Sequence, residues 1–405
     1  MRSRRRSVIV AAVAAATLAA AGCTAVPAGP SSPASSPTKA SDSREPTPTN
    51  GVSALLVQPV QRAQVVPASD GRNHLEYDLL VVNAFGEPVT LTDVVVLGTD
   101  GKRLLTVTGR SLASATQSLY THVASPVVAA SAAVVVEVDL PLSSGVPVPA
   151  RVSNRIDYKL PASPDAVIVD DTSVQGPTVD VDRTHAVRIE SPLAGKGWLA
   201  TSACCSPNVH RDLLLSEGGL RLATSETFAV DWALAKGDRI YEGNGSTNEQ
   251  FYGFGAPVLA VADGTVVAAQ DGIAESVPFS SSAPETKEGF GGNSIMLKID
   301  DGVYAFYGHL QTGSLTVRVG EKVKAGQVLG KLGNTGPSQG PHLHFGLLES
   351  PDAFTGTSLP FVLTKATLTG TVDFASSTGD TLAVSPESRS LKNVYPLYGT
   401  IMDFG

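Results

Sequence analysis

The sequence predicts an all-β protein with two folded units, and three observations carry that reading. Short apolar or alternating runs, among them "HLEYDLLVVNA", "VTLTDVVVLGTDG" and "ASAAVVVEVDLPL", recur between Gly, Pro, Asn and Asp, and no segment sustains a helical period. The pairs Asp263-Gly264 and Asp301-Gly302 each sit between apolar runs, the pattern of tight hairpins. With 42% hydrophobic and 17% charged residues over 405 positions, the chain can bury more than one core.

The elements follow in chain order. Residues 1–23, "MRSRRRSVIVAAVAAATLAAAGC", set arginines ahead of an apolar run of about 14 residues that ends in small side chains, the layout of an export leader. A spanning helix needs about 20 apolar residues. Cys23 follows Ala20-Ala21-Gly22 and resembles a bacterial lipobox, with alanine where leucine is usual. That resemblance implies lipidation at Cys23, a lipid anchor in the membrane, and an exported protein at the extracellular face or in the wall. Residues 24–50 are rich in Pro, Ser, Thr and Ala, too poor in large apolar side chains to fold, and read as an extended, disordered tether.

Residues 51–160 carry short strands between turns, for which an immunoglobulin-like β-sandwich is the simplest architecture. His74 and His122 lie there and read as surface or packed histidines. Residues 161–185 form a polar connection with one apolar strand at Ala166-Val167-Ile168-Val169. A second β-rich unit spans 186–372. Within it, residues 271–292 are rich in Ser, Gly and Pro and suggest a long mobile loop on one face. Residues 373–405 are too mixed to assign.

Composition excludes some functions. Loss of residues 1–22 removes four arginines and no acids, so the formal charge moves from −8 to −12. So acidic a chain is a poor partner for nucleic acid. Besides Cys23, the only cysteines are the adjacent Cys204 and Cys205, which after export would form a vicinal disulfide or stay as two thiols. Gly336, Gly340 and Pro341 are turn residues, and no helix follows them to hold a phosphate.

The chemistry concentrates in "GPHLHFGL". In an extended strand, His342 and His344 share one face while Leu343 and Phe345 anchor the other. Their separation of about 6.5 to 7 Å suits one metal ligand and one group acting on water beside the metal. His309 ends the run "VYAFYGHL" and could face the same groove from a neighbouring strand. Asp231, in "FAVDWA", lies among apolar residues, where a carboxylate must be hydrogen-bonded, paired or bound to a metal.

The order of motifs from "GAPVLAVADGTVVAAQDG" through "GGNSIMLKIDDGVYAFYGHL" to "GPHLHFGL" resembles the lysostaphin/LytM-type zinc endopeptidases over roughly residues 225 to 348. The resemblance implies an antiparallel β domain with a narrow groove, a Zn2+ cofactor, and cleavage of peptide bonds in peptidoglycan. It implies Asp231 and His344 as metal ligands, and His309 and His342 as the catalytic pair that orients or deprotonates the attacking water. The leader, the tether and the first β unit fall outside it.

One position departs from the pattern. Active members of the family carry histidine four residues before the aspartate, and here Thr227 stands there, vacating a ligand position. A catalytic zinc usually takes three protein ligands. Strand alternation puts Glu226 on the opposite face from Asp231, so it would need a bulge to reach the metal. His210, in "SPNVHRDL", is the best substitute ligand, ahead of His185. Two readings follow: a working zinc metalloendopeptidase with His210 completing the site, or a degenerate domain that binds peptidoglycan peptides or regulates a partner wall hydrolase. A third, an adhesion module acting through the first β unit, has no charge run, aromatic cluster or cysteine framework to support it.

Overall fold

The computed structural model describes residues 51–119, 123–169, 171–184, 186–205, 209–280, 284 and 286–405. The leader, the tether, Cys23, His122 and His185 lie outside the described residues. Strands dominate both units, and among the described residues no helix is long and apolar enough to cross a membrane.

The first unit is an eleven-stranded sheet folded over one core. Its longest pairing joins Asn73–Asn83 to Ala133–Leu142, antiparallel. Leu75, Tyr77, Leu79 and Val81 alternate into the core, where they meet Val94, Val136 and Ile156. The Tyr77 hydroxyl donates to Asn154 Oδ1 at 2.6 Å, a hydrogen bond within the interior. The segment 161–185, expected as a polar connection with one strand at 166–169, supplies a strand further on, Val179–Asp182, parallel to Ala63–Pro67 and antiparallel to Arg151–Lys159, which makes the sheet continuous. The apolar run expected as a strand at 166–169 instead falls largely in a 3-10 helix, Pro164–Ile168, with Val167 and Ile168 exposed. Four residues are too few for periodicity to separate the two.

In the second unit a long sheet runs in the order Gly264–Gln270, Asn293–Asp300, Val303–Leu310, Leu343–Leu348, Val230–Leu234, Gly195–Ser202, Thr400–Phe404, Ala366–Thr378 and Thr381–Leu391, all antiparallel. Trp198, Trp232, Tyr307, Phe345 and Phe361 fill its core. The C-terminal residues belong to this sheet. Val372 falls inside the strand Ala366–Thr378, and Thr400–Phe404 pairs with Gly195–Ser202.

Of the two expected hairpins, Asp301-Gly302 is one, with Asp300 opposite Val303 and Gly302 at φ 69°. Asp263-Gly264 is not. The strand before it, Pro257–Leu259, pairs with Val328–Lys331, whereas Gly264–Gln270 pairs with Asn293–Asp300. Here Asp263 binds the Lys324 ammonium and the Ala325 N–H, and Gly264 permits close approach to the Lys298 carbonyl. Both residues thus serve contacts other than a tight turn.

The segment 271–292, expected to be mobile, is tied down along its described length. The Ile273 N–H donates to Asn293 Oδ1, the Ser276 N–H to the Asn334 carbonyl, and the Phe279 N–H to the Gln339 carbonyl, at 2.8, 2.7 and 2.7 Å. Phe279 also packs on Tyr241 and Phe251. Polar composition marked the segment as irregular without showing these partners. Cys204 and Cys205 are joined by a disulfide and buried in the core.

Candidate metal centre

Three adjacent strands and one short helix bring the candidate residues together. Asp231 on Val230–Leu234 lies directly opposite His344 on Leu343–Leu348, and Gly308, just before His309, lies opposite His344 from the other side. Leu343 and Phe345 are fully buried in the core, so alternation turns His344 to the opposite face. On that face lies a groove of about 930 Å³, lined by His210, Glu226, Asp231, His309, His342 and His344 among others.

His210 sits on the short helix Val209–Asp212, and its Nε2 is 3.2 Å from Asp231 Oδ2. On the other side of the carboxylate, His344 Nδ1 lies 3.0 Å from Asp231 Oδ1. His342 Nε2 is 3.6 Å from the same oxygen. The donor atoms of His210, Asp231 and His344 all fall within 4.8 Å of one another. Metal–donor bonds near 2.0–2.1 Å give tetrahedral donor–donor edges of about 3.3 Å, so a small ion fits this set with little movement. Two imidazoles and a carboxylate, open on the groove side, are a donor set that zinc accepts.

The electrostatics agree with a site built around the carboxylate. Burial works against ionised Asp231, yet the charges of His210 and His342 and the hydrogen bonds from His210 and His344 outweigh it and hold its carboxyl well below the usual range. Burial likewise opposes a charged His210, but Asp231, Glu226 and the Ala229 carbonyl raise it to about 9.

His309 is different. It adopts φ 58°, a left-handed conformation that an L side chain rarely takes, and its ring is buried. Its Nδ1 is 2.7 Å from the Thr335 carbonyl, which can only accept, so Nδ1 carries the proton and Nε2 keeps its lone pair. Burial and the charges of His342 and His344 push the imidazole down to about 3. His342 is fixed in the same way, with Nδ1 2.9 Å from the Gly340 carbonyl. The rings of His309 and His342 lie 4.7 Å apart.

Thr227 takes no part. It is fully buried, and its hydroxyl accepts a hydrogen bond from Gln61 of the first unit at 3.4 Å. Glu226, expected on the far face, instead lines the groove, with Oε1 3.8 Å from His344 Nε2. The alternation argument fails because the strand begins only at Val230. Residues 226–229 form a turn, closed by the Ala229 N–H on the Glu226 carbonyl. "SET" ahead of the apolar run was the one signal of that turn.

Residues 250–355, which include His309, His342 and His344, match Peptidase family M23. The chain is 42% identical over 96 residues to glycyl-glycine endopeptidase ALE-1 of Staphylococcus capitis, covering 24% of this chain and 22% of that protein. It is 34% identical over 94 residues to peptidoglycan DD-endopeptidase ShyC of Vibrio cholerae, covering 23% and 19%. The matched stretch thus spans about a fifth of each relative's length. Among solved structures, the catalytic domain of lysostaphin from Staphylococcus simulans is 30% identical, with 31% of this chain and 86% of that one covered and a TM-score of 0.20. The second β unit therefore contains a peptidase family M23 domain of the lysostaphin/LytM type.

Proposed function

We propose that this protein is an exported zinc metalloendopeptidase that cleaves peptide bonds in peptidoglycan. The observation that carries the reading is the convergence of His210, Asp231 and His344 on one small volume beside His309 and His342, despite threonine at position 227. Zinc held there would supply a Lewis acid and make water nucleophilic near neutral pH. The chain's own groups supply the rest. The lone pair on His309 Nε2 can accept a hydrogen bond from the attacking water and orient it, because its Nδ1 proton is committed to Thr335. His342, with Nδ1 committed to the Gly340 carbonyl, presents Nε2 beside Asp231, where its lone pair can help orient the attacking water. Glu226 stands behind His344 Nε2 and holds that ring with Nδ1 toward Asp231.

The peptidoglycan DD-endopeptidase ShyC favours peptidoglycan as the substrate, the glycyl-glycine endopeptidase ALE-1 favours a peptide bond, and a groove open along one face admits an extended peptide. The export leader and Cys23 support an envelope location with a lipid anchor. The degenerate reading draws on Thr227, and the position of His210 weighs against it by offering a third donor. The test is hydrolysis of purified peptidoglycan and short cross-bridge peptides by the mature protein. Activity abolished by a chelator and restored by zinc supports the reading. Peptide cleavage no greater than that of a His309→Ala, His342→Ala double variant overturns it.

A further inference from the structure

His210 is one residue from the most deeply buried cation described in the protein. Arg211 is 1% exposed, and its guanidinium reaches into the first β unit. Nη1 donates to Glu76 Oε2 at 2.6 Å, Nη2 donates to Asp78 Oδ1 at 2.6 Å and to the Tyr77 carbonyl at 3.1 Å, and Nε lies 3.5 Å from Glu137 Oε2. The carboxylates come from one antiparallel pair, in which Asp78 lies opposite Glu137. They project from the sheet face opposite to Leu75, Tyr77 and Leu79, and the second unit buries them.

A planar fork bonded on this many sides fixes its own backbone, because any rotation leaves a buried charge unpaired. The helix that carries it, Val209–Asp212, is one turn long, and a single turn has no stability of its own in water. Successive helical residues point about 100° apart, so a turn held through Arg211 on one side presents His210 on another. On the groove side, His210 meets Ser202 Oγ at 3.3 Å and Asp231 at 3.2 Å, and Thr224 Oγ1 donates to its carbonyl at 3.4 Å.

We infer that Arg211 is a positioning residue for the metal centre: locked between Glu76, Asp78 and Glu137 of the first β unit, it sets His210 against Asp231, so that the first unit completes the ligand set of the second. The inference rests on the reading of His210 as a ligand and goes beyond it. A ligand displaced from position 227 to a one-turn helix needs an external fastening, and the first unit provides it. The first unit thereby acts as a part of the metal site rather than as a spacer.

The test uses the full mature chain, with zinc affinity measured by chelator competition and cobalt(II) absorption as the signature of coordination. Four proteins are compared: wild type, His210→Ala, Asp78→Asn and Arg211→Gln. Asp78→Asn is nearly isosteric and removes charge 2.6 Å from the guanidinium without touching the groove. The expected result is zinc binding 10- to 100-fold weaker in Asp78→Asn and Arg211→Gln, with a cobalt spectrum shifted toward that of His210→Ala and with native far-ultraviolet circular dichroism. Arg211→Lys should restore part of the affinity. Wild-type zinc affinity and cobalt spectrum in folded Asp78→Asn overturn the inference while leaving the ligand reading intact. Unchanged affinity in His210→Ala overturns the ligand reading, and the inference with it. Where Arg211→Gln fails to fold, Asp78→Asn carries the decision.

Discussion

Glu137 gives the positioning account a quantitative handle independent of metal. Its carboxyl is 4% exposed, and burial, partly offset by the Arg211 charge and reinforced by Asp78 and Asp212, pushes it up to about 8 from its ordinary 4.5. The folded state therefore holds a proton that the unfolded chain has released between those two values. A raised acid contributes stability that is full below the unfolded value, near 4.5, and is lost as pH rises through about 8. A shift of that size corresponds to about 4–5 kcal/mol at 1.36 kcal/mol per unit, an order-of-magnitude figure for a group with charged neighbours. Glu137→Gln keeps the shape and neutrality of the protonated side chain and removes this titration. Urea unfolding in the presence of a chelator, followed through the buried Trp198 and Trp232, should show the two proteins within about 1 kcal/mol at pH 5 and the variant more stable by several kcal/mol at pH 9. Parallel stability curves for wild type and Glu137→Gln from pH 5 to pH 9 would refute the reasoning.

Three further outcomes follow from the site. His210→Ala removes one of three ligands and should weaken zinc binding by about 100- to 1000-fold in a chelator competition, since whole structural zinc sites are worth about 10–16 kcal/mol. His309→Ala should lower kcat on a cross-bridge peptide by about 100- to 10,000-fold while zinc content stays at the wild-type level, because His309 faces the groove without contacting Asp231. Gly292→Ala should lower both Tm and kcat: Gly292 sits at φ 61° with no room for a Cβ beside the Thr335 carbonyl, the group that fixes the tautomer of His309. A differential scanning trace and a peptide assay on the same preparation check this together.

Much of the site could be read in the sequence because strand alternation acts over short distances. His342, His344, Leu343 and Phe345 sort to the expected faces once "GPHLHFGL" is extended, and the buried company of Asp231 already demanded a partner. His210 could be named as a candidate from its proximity in the chain, but nothing local showed that a one-turn helix would aim it at Asp231. That depends on Arg211 and on carboxylates more than 70 residues earlier. The strand "NHLEYDLLVVN" looked like an ordinary alternating strand, with His74, Glu76 and Asp78 on its polar face. Burial of that face follows from the docking of a second unit, which no periodicity within the strand encodes. Glu226 was misplaced for the converse reason: alternation was extended four residues past the real start of a strand. Asp263-Gly264 shows the same limit, since the side-chain partners that define its role lie near residue 325.

The central claim is that His210 replaces the ligand lost at Thr227. A crystal of the mature protein grown with one equivalent of zinc, with anomalous data collected at the zinc edge, tests it most directly. The account predicts one peak bonded to His210 Nε2, Asp231 and His344 Nδ1. An ion held at Asp231 and His344 with His210 turned away, or no ion at this position, would contradict it.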